Sequence, residues 1–181
     1  MTLFPSLPND ASVRHALQIN SRAGELLCRF HEELLRGESP LTAMERELIA
    51  AYVSGLNRCN FCRGTHEATA QLFGVPEGFV ERLIHDETLG DVSDRLRPLL
   101  LYARKLTLDQ HSITSADAEK VYEVGWPERA LHDTILIAAT FNFMNRFVHG
   151  HGIEGDPELH SERGRYLYEH GYLSVVETRP E

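Results

Sequence analysis

Along the chain, apolar residues recur at three- and four-residue intervals, and period-two alternation of β-branched residues is nearly absent. That pattern predicts helices rather than strands. The first predicted helix runs over about residues 12–36, with Leu17, Gly24, Leu27, Cys28, Leu34 and Leu35 towards one face and Gly37 as its stop. Ser39 and Pro40 form a linker, and the capping box Thr42-x-x-Glu45 opens a second helix that ends near Gly55. Leu56, Asn57 and Arg58 make a short corner in which Asn57 is placed to cap a third helix. That helix starts close to Cys59 and stops at Gly74, a residue suited to a helix end. Pro76 opens a short helix to about Ile84, and the polar stretch 85–93 reads as a loop.

The second half of the chain repeats the theme. Residues 94–108 are helical, with Pro98 tolerated in the first turn. Thr114-x-x-Asp117 caps another short helix closed by Gly125. Pro127 opens a long helix to about His149 that carries Leu131, Ile135, Leu136, Ala138, Ala139, Phe143 and Phe147. Because it is apolar around much of its circumference, it is expected to be central or to lie at a subunit interface. Trp126-Pro127 reads as a packing element at its start, and Gly150-His151-Gly152 ends it. A last amphipathic helix over 158–170 precedes a polar tail. The expected architecture is a single all-α domain over 1–181, with a C-terminal helical part at 94–170.

Charge and composition narrow the function. A chain of 181 residues with net charge −9 and scattered basic residues (Arg95, Arg97, Arg104, Lys105) does not look like a nucleic-acid binder. No stretch approaches the roughly 20 apolar residues of a membrane span, and the N-terminus shows no signal-peptide pattern, so a cytoplasmic protein is expected. In a reducing compartment three cysteines are not a structural framework, and two of them with two residues between them point to redox or metal chemistry.

Those two are in the segment from Glu47 to His66. At about 100° per residue, Cys62 lies about 60° and His66 about 20° from Cys59 around the helix, so all three share one face. Two thiols so placed can meet as a disulfide, and an imidazole can reach the thiol one turn earlier. The thiolate is the reactive form, and the positive end of the helix dipole together with His66 favours it; Arg58 and Arg63 are weaker candidates. Glu47, one helix back, is positioned to orient His66 or relay its proton.

Rival readings remain. A c-type haem site needs His directly after the second Cys, where Arg63 stands. A thioredoxin-like setting needs strands. Zinc could take two Cys, one His and a fourth ligand, but no second Cys-x-x-Cys or His pair of finger spacing occurs. Two buried structural cysteines beside a satisfied histidine are the plain alternative. Elsewhere, Cys28 reads as core, His149 and His151 suit a helix C-terminus, and His31, His85, His111, His132, His160 and His170 show no paired ligand spacing. Without two Glu-x-x-His motifs, a di-iron bundle is not expected.

The pattern Glu47-x11-Cys59-x2-Cys62-x3-His66 resembles the signature of AhpD-like alkylhydroperoxidases, within the carboxymuconolactone decarboxylase superfamily. The resemblance directly covers about residues 42–73. The run Ala138-Ala-Thr-Phe-Asn142-Phe-Met-Asn145-Arg146-Phe147 also resembles a branch of peroxidase-related proteins, extending it over most of the chain. Asn142, Asn145 and Arg146 are read as satisfying buried carbonyls or an interface salt bridge. Well-known members carry an extra histidine inside the Cys-x-x-Cys, where this chain has Phe61.

The resemblance implies an all-α, AhpD-like helical bundle that assembles as a homo-oligomer, dimer through hexamer. It also implies a thiol-dependent peroxidase with catalytic Cys62, Cys59, His66 and Glu47. Cys62 would attack the peroxide. Cys59, nearer the surface, would condense with it and meet an external dithiol, a lipoyl group on a partner protein in the relatives. No organic cofactor or metal is implied. The alternatives are a non-catalytic redox sensor or scaffold, or the cofactor-free decarboxylase or isomerase chemistry of the superfamily, whose members typically lack the thiol pair.

Overall fold

The computed structural model describes residues 3–177. Among them the chain forms ten α-helices and one 3-10 turn, with no strand. The helices are α1 (Val13–Ile19), α2 (Ser21–Arg36), α3 (Ala43–Leu56), α4 (Asn60–Leu72), α5 (Phe79–His85), α6 (Arg97–Leu108), α7 (Ser115–Glu123), α8 (Glu128–Gly150), α9 (Pro157–His170) and α10 (Ser174–Glu177). The 3-10 turn, Gln110–Ser112, links α6 to α7.

Helix α3 is the axis of the molecule. Every residue from Arg46 to Gly55 is buried, and α4, α5, α6 and α8 all pack on it. Helix α8 lies against α3 and α6, with Ile137, Ala138 and Phe141 in the core, so it is central to the protomer. The buried Arg46 guanidinium donates to the carbonyls of Leu34 (3.2 Å) and Gly37 (2.8 Å), satisfying the open end of α2.

Capping explains several boundaries. Thr42 and Glu45 form the expected box at α3, as do Thr114 and Asp117 at α7. Pro98 sits in the first turn of α6, and Trp126 braces the start of α8 by donating Nε1–H to the Arg95 carbonyl (2.7 Å).

Other boundaries differ from the sequence expectation. The first helix is broken at Asn20, whose side chain accepts from Ala23 N–H (3.2 Å) and caps α2 afresh. The break folds α1 back on α2, where a Cβ on Gly24 would collide with the Leu17 carbonyl. Helix α5 starts at Phe79 rather than at Pro76, after Gly78 adopts a left-handed conformation (φ 67°). Helix α6 begins at Arg97, not Asp94.

Helices α4 and α9 make the most extensive helix pairing among the described residues. Two glycines allow it: a Cβ on Gly64 would strike the His160 ring, and one on Gly164 would strike Ala68 and the Thr69 backbone. Because α4 carries Cys62 and begins directly after Cys59, this contact holds the site in place.

Candidate active site

The corner between α3 and α4 sets the thiols. Arg58 takes a left-handed conformation (φ 57°), and Cys59 N–H donates to the Ser54 carbonyl (2.9 Å). Cys59 therefore occupies the N-cap position of α4. Asn57, expected to cap that helix, instead reaches α8, donating to Asn142 Oδ1 (3.1 Å) and Asn145 Oδ1 (2.9 Å). Cys62 follows one turn into α4 and His66 one turn further.

Both sulfurs are free thiols, and both are buried: Cys59 is 1% exposed and Cys62 4%. The expectation that Cys59 lies nearer the surface does not hold for the protomer. Cys59 is packed under Ala16, Val148 and Ile153, whereas Cys62 lines a cavity.

Each thiol bears on the other's acidity, and the effect divides them. The hydrogen bond from Cys62 outweighs burial and lowers the Cys59 pKa to about 6, with smaller help from the Cys62 backbone N–H, His149 and Asn145. The same bond, together with burial, pushes Cys62 well above the ordinary thiol range. The pair therefore holds one negative charge readily and a second only with difficulty. The basic helpers anticipated beside it are elsewhere: Arg63 pairs with Glu81, and Arg58 is exposed.

Behind the thiols lies a buried polar group. Glu47 is fully buried on α3 and accepts from three donors: His66 Nδ1–H at 2.7 Å, Tyr172 O–H at 2.7 Å and Arg36 Nη1 at 2.6 Å. Burial alone would push its carboxyl up, but these partners outweigh it and keep the group ionised below its ordinary value. Burial and the Glu47 charge drive the Tyr172 phenol the other way, so it stays protonated and donates. With His66 Nδ1 committed to a carboxylate, Nε2 is left for chemistry.

Sequence reasoning missed three of these participants. Tyr172 and Arg36 lie far from the Cys-x-x-Cys in sequence and meet Glu47 only through the fold. Tyr172 belongs to what reads as a polar tail; the turn after α9 is held by Glu32, which accepts from Tyr172 N–H (2.6 Å). The third is Asn145, expected to be a structural polar residue, whose amide donates to Ser54 Oγ (3.0 Å) and also helps lower the pKa of both thiols. The motif run around it was the available signal. Asn142 fits its expected role, with its Nδ2 donating to the Ala138 carbonyl (2.9 Å).

The cavity holds about 230 Å³. Its wall is mainly apolar, including Leu17, Leu27, Phe61, Phe141, Met144 and Val148, and Cys62 and His66 stand on it. Exposed Glu162 among its lining residues marks where it meets solvent. Cys28 also lines it, with burial lifting its thiol to about 11, so it is unreactive near neutrality. His151 donates Nδ1–H to the Phe147 carbonyl (2.7 Å), as suits a residue at the end of α8. Among the described residues, no group of three or more His, Cys, Asp or Glu side chains converges so as to hold a metal ion.

A helical bundle with a paired Cys-x-x-Cys facing an apolar cavity defines a class of thiol-bearing all-α proteins. Within it, this chain belongs to the carboxymuconolactone decarboxylase family, whose sequence model matches residues 22–104. An uncharacterised peroxidase-related protein from Silicibacter sp. TM1040 is similar at 30% identity over 82% of this chain and 78% of that one, with a TM-score of 0.74. An alkylhydroperoxidase AhpD core, an uncharacterised peroxidase-related protein from Ralstonia eutropha JMP134, is similar at 25% identity over the same shares, also with a TM-score of 0.74. No curated protein matches the chain. No helix among the described residues is long and apolar enough to cross a membrane.

Proposed function

We propose that this protein is a thiol-dependent peroxidase cycling between dithiol and disulfide at Cys59 and Cys62. The observation that carries this reading is the pair of free, buried thiols at the start of α4 with one member, Cys62, on the cavity wall beside His66.

The resting pair carries its charge mainly on Cys59, yet Cys62 is the sulfur with access to a ligand. The hydrogen bond between them resolves the mismatch. Moving the shared proton from Cys62 to Cys59 transfers the charge to the cavity-facing sulfur without exposing it to solvent. The Cys62 thiolate then attacks the terminal oxygen of a hydroperoxide. An S–O bond forms, the O–O bond breaks, and the leaving alkoxide takes a proton delivered through His66, which Glu47 orients. Cys62 becomes a sulfenic acid. Cys59 attacks it, water leaves and the disulfide closes. An external dithiol, such as a lipoyl group on a partner protein, returns the pair to the reduced state. The reading includes a homo-oligomer, for which the outward side of α8, with Phe143 49% exposed, is a suitable face.

Rapid mixing of the reduced protein with hydrogen peroxide or an organic hydroperoxide, followed by mass spectrometry, tests this directly. A Cys59–Cys62 bond is expected after one turnover. Cys62→Ser should abolish peroxide consumption, and Cys59→Ser should allow a single sulfenic-acid event. Turnover of both single variants at the wild-type rate would refute the assignment.

A further inference from the structure

Among the described residues, the polar atoms of the cavity wall without a hydrogen-bond partner include His31 Nε2, Thr65 Oγ1 and Arg163 Nε. His31, on α2, is buried, and its Nδ1 lies 2.7 Å from the Leu27 carbonyl. A carbonyl can only accept, so the proton is on Nδ1 and Nε2 presents a bare lone pair. That Nε2 is buried and makes no hydrogen bond. Thr65, on α4 between Cys62 and His66, is also buried with its hydroxyl unpaired. Both residues line the cavity that Cys62 and His66 line.

Buried polar groups are ordinarily hydrogen-bonded, so an acceptor and a hydroxyl left open on this wall point to a polar ligand atom between them. The geometry around His31 ties it to the reacting end. Its ring lies against Phe141 (6.1 Å) and Tyr172 (5.8 Å), the same two rings that flank His66 (4.5 and 6.2 Å). Burial also lowers the His31 pKa, which keeps its lone pair available near neutrality. The cavity exceeds the roughly 150 Å³ that accommodates benzene in an engineered protein core, so an aryl or short alkyl body fits beside the two polar groups.

We propose that His31 and Thr65 position the substrate: His31 Nε2 accepts the O–H of an apolar hydroperoxide, and the Thr65 hydroxyl donates to its second oxygen. A hydroperoxide is a ligand with one donor and adjacent acceptors on an apolar body, which is the complement of this wall. Held so, its terminal oxygen faces Cys62 and its O–O bond points the alkoxide towards His66. The thiolate is oxidised to the sulfenic acid, the peroxide is reduced to the alcohol, and neither His31 nor Thr65 changes its covalent state. His31 on α2 thereby supplies an imidazole to a site whose Cys-x-x-Cys holds Phe61.

This rests on the peroxidase reading above, and the test separates the two. The full-length reduced protein is mixed with cumene hydroperoxide, and in parallel with iodoacetamide, which reports thiolate reactivity without needing a hydroperoxide site. His31→Phe and Thr65→Val should each slow oxidation by cumene hydroperoxide at least tenfold while alkylation of Cys62 stays within twofold of wild type. His31→Gln, which can again offer an acceptor, should recover most of the rate. If the wild type is oxidised and both variants keep its rate, the positioning role is wrong and the peroxidase reading stands. If alkylation falls in step with oxidation, or Gln rescues nothing, the residues act through the fold and the proposal fails. If the wild type is not oxidised at all, both readings fall together.

Discussion

Glu47 shows how much one buried side chain can organise. It holds three donors from three parts of the chain, and each donor depends on the negative charge. Glu47→Gln would leave the Arg36 guanidinium without its counter-charge, and breaking a buried pair costs about 3–5 kcal/mol. Tyr172→Phe removes one hydrogen bond to a charged acceptor, worth about 1.5–3 kcal/mol, and leaves the His66–Glu47 contact intact. The expected order is therefore clear in both readouts. Glu47→Gln should lower thermal stability more and cut peroxide turnover severely; Tyr172→Phe should cost less stability and only several-fold in rate. Calorimetry and steady-state rates on the two variants check this, and equal effects would mean that Tyr172 does more than brace the carboxylate. The closeness of Cys62 and His66 was readable because they stand one helical turn apart, and that of Glu47 because only a short corner separates its helix from theirs, whereas the shared face expected of Cys59 is lost because it caps α4 instead of continuing it. Arg36 and Tyr172 were not readable, because no local rule links a residue at the end of α2 or beyond α9 to a carboxylate on α3. Asn145 sat in a noticed motif, but only the crossing of α8 over the α3–α4 corner reveals what it touches.

At the level of elements, caps carried the most information. The boxes at Thr42 and Thr114 are sequence-local, and both form as expected. The break at Asn20 was hidden because the apolar periodicity of α1 continues into α2, and only Gly24 admits the close return of Leu17. The α4–α9 contact depends on the same device. Gly164 meets Ala68 and the Thr69 backbone, and the Thr69 hydroxyl, which donates to the Thr65 carbonyl (2.9 Å), lies 3.4 Å from the Gly164 carbonyl. A backbone neighbour does not swing aside as a flexible side chain does, so Gly164→Val must push the helices apart. Overpacking of this kind costs about 1–3 kcal/mol. Since α4 bears Cys62, Thr65 and His66 and is capped by Cys59, a shift of α4 should also disturb the site. The expected result is a lower melting temperature together with slower oxidation of the thiols. An unchanged melting temperature would show that α4 and α9 can separate at no cost.

For the whole molecule, the thiols make stability depend on pH in both directions. Cys59 has an ordinary thiol value of 9.0 and is lowered in the fold to about 6. A group depressed on folding contributes stability that is fully present above its unfolded value and is lost as pH falls through the folded one. Between these limits the reduced protein should gain stability as pH rises. With about 1.36 kcal/mol per pH unit, the ceiling is ~4 kcal/mol. Cys62, pushed up by its bond to Cys59 and by burial, and Cys28, raised to about 11 by burial, act in the opposite sense above the ordinary thiol range, because the unfolded chain ionises there and the folded one does not. Stability attributable to the thiols should therefore peak near that range and decline on either side. Melting curves of the reduced protein and of Cys59→Ser, taken from about pH 6 to 10, isolate the effect as a difference between the two. The difference should widen from the acid end towards pH 9. A difference that stays flat would mean that the pair does not share a single charge in the fold, and the proton transfer that hands that charge to Cys62 would lose its basis.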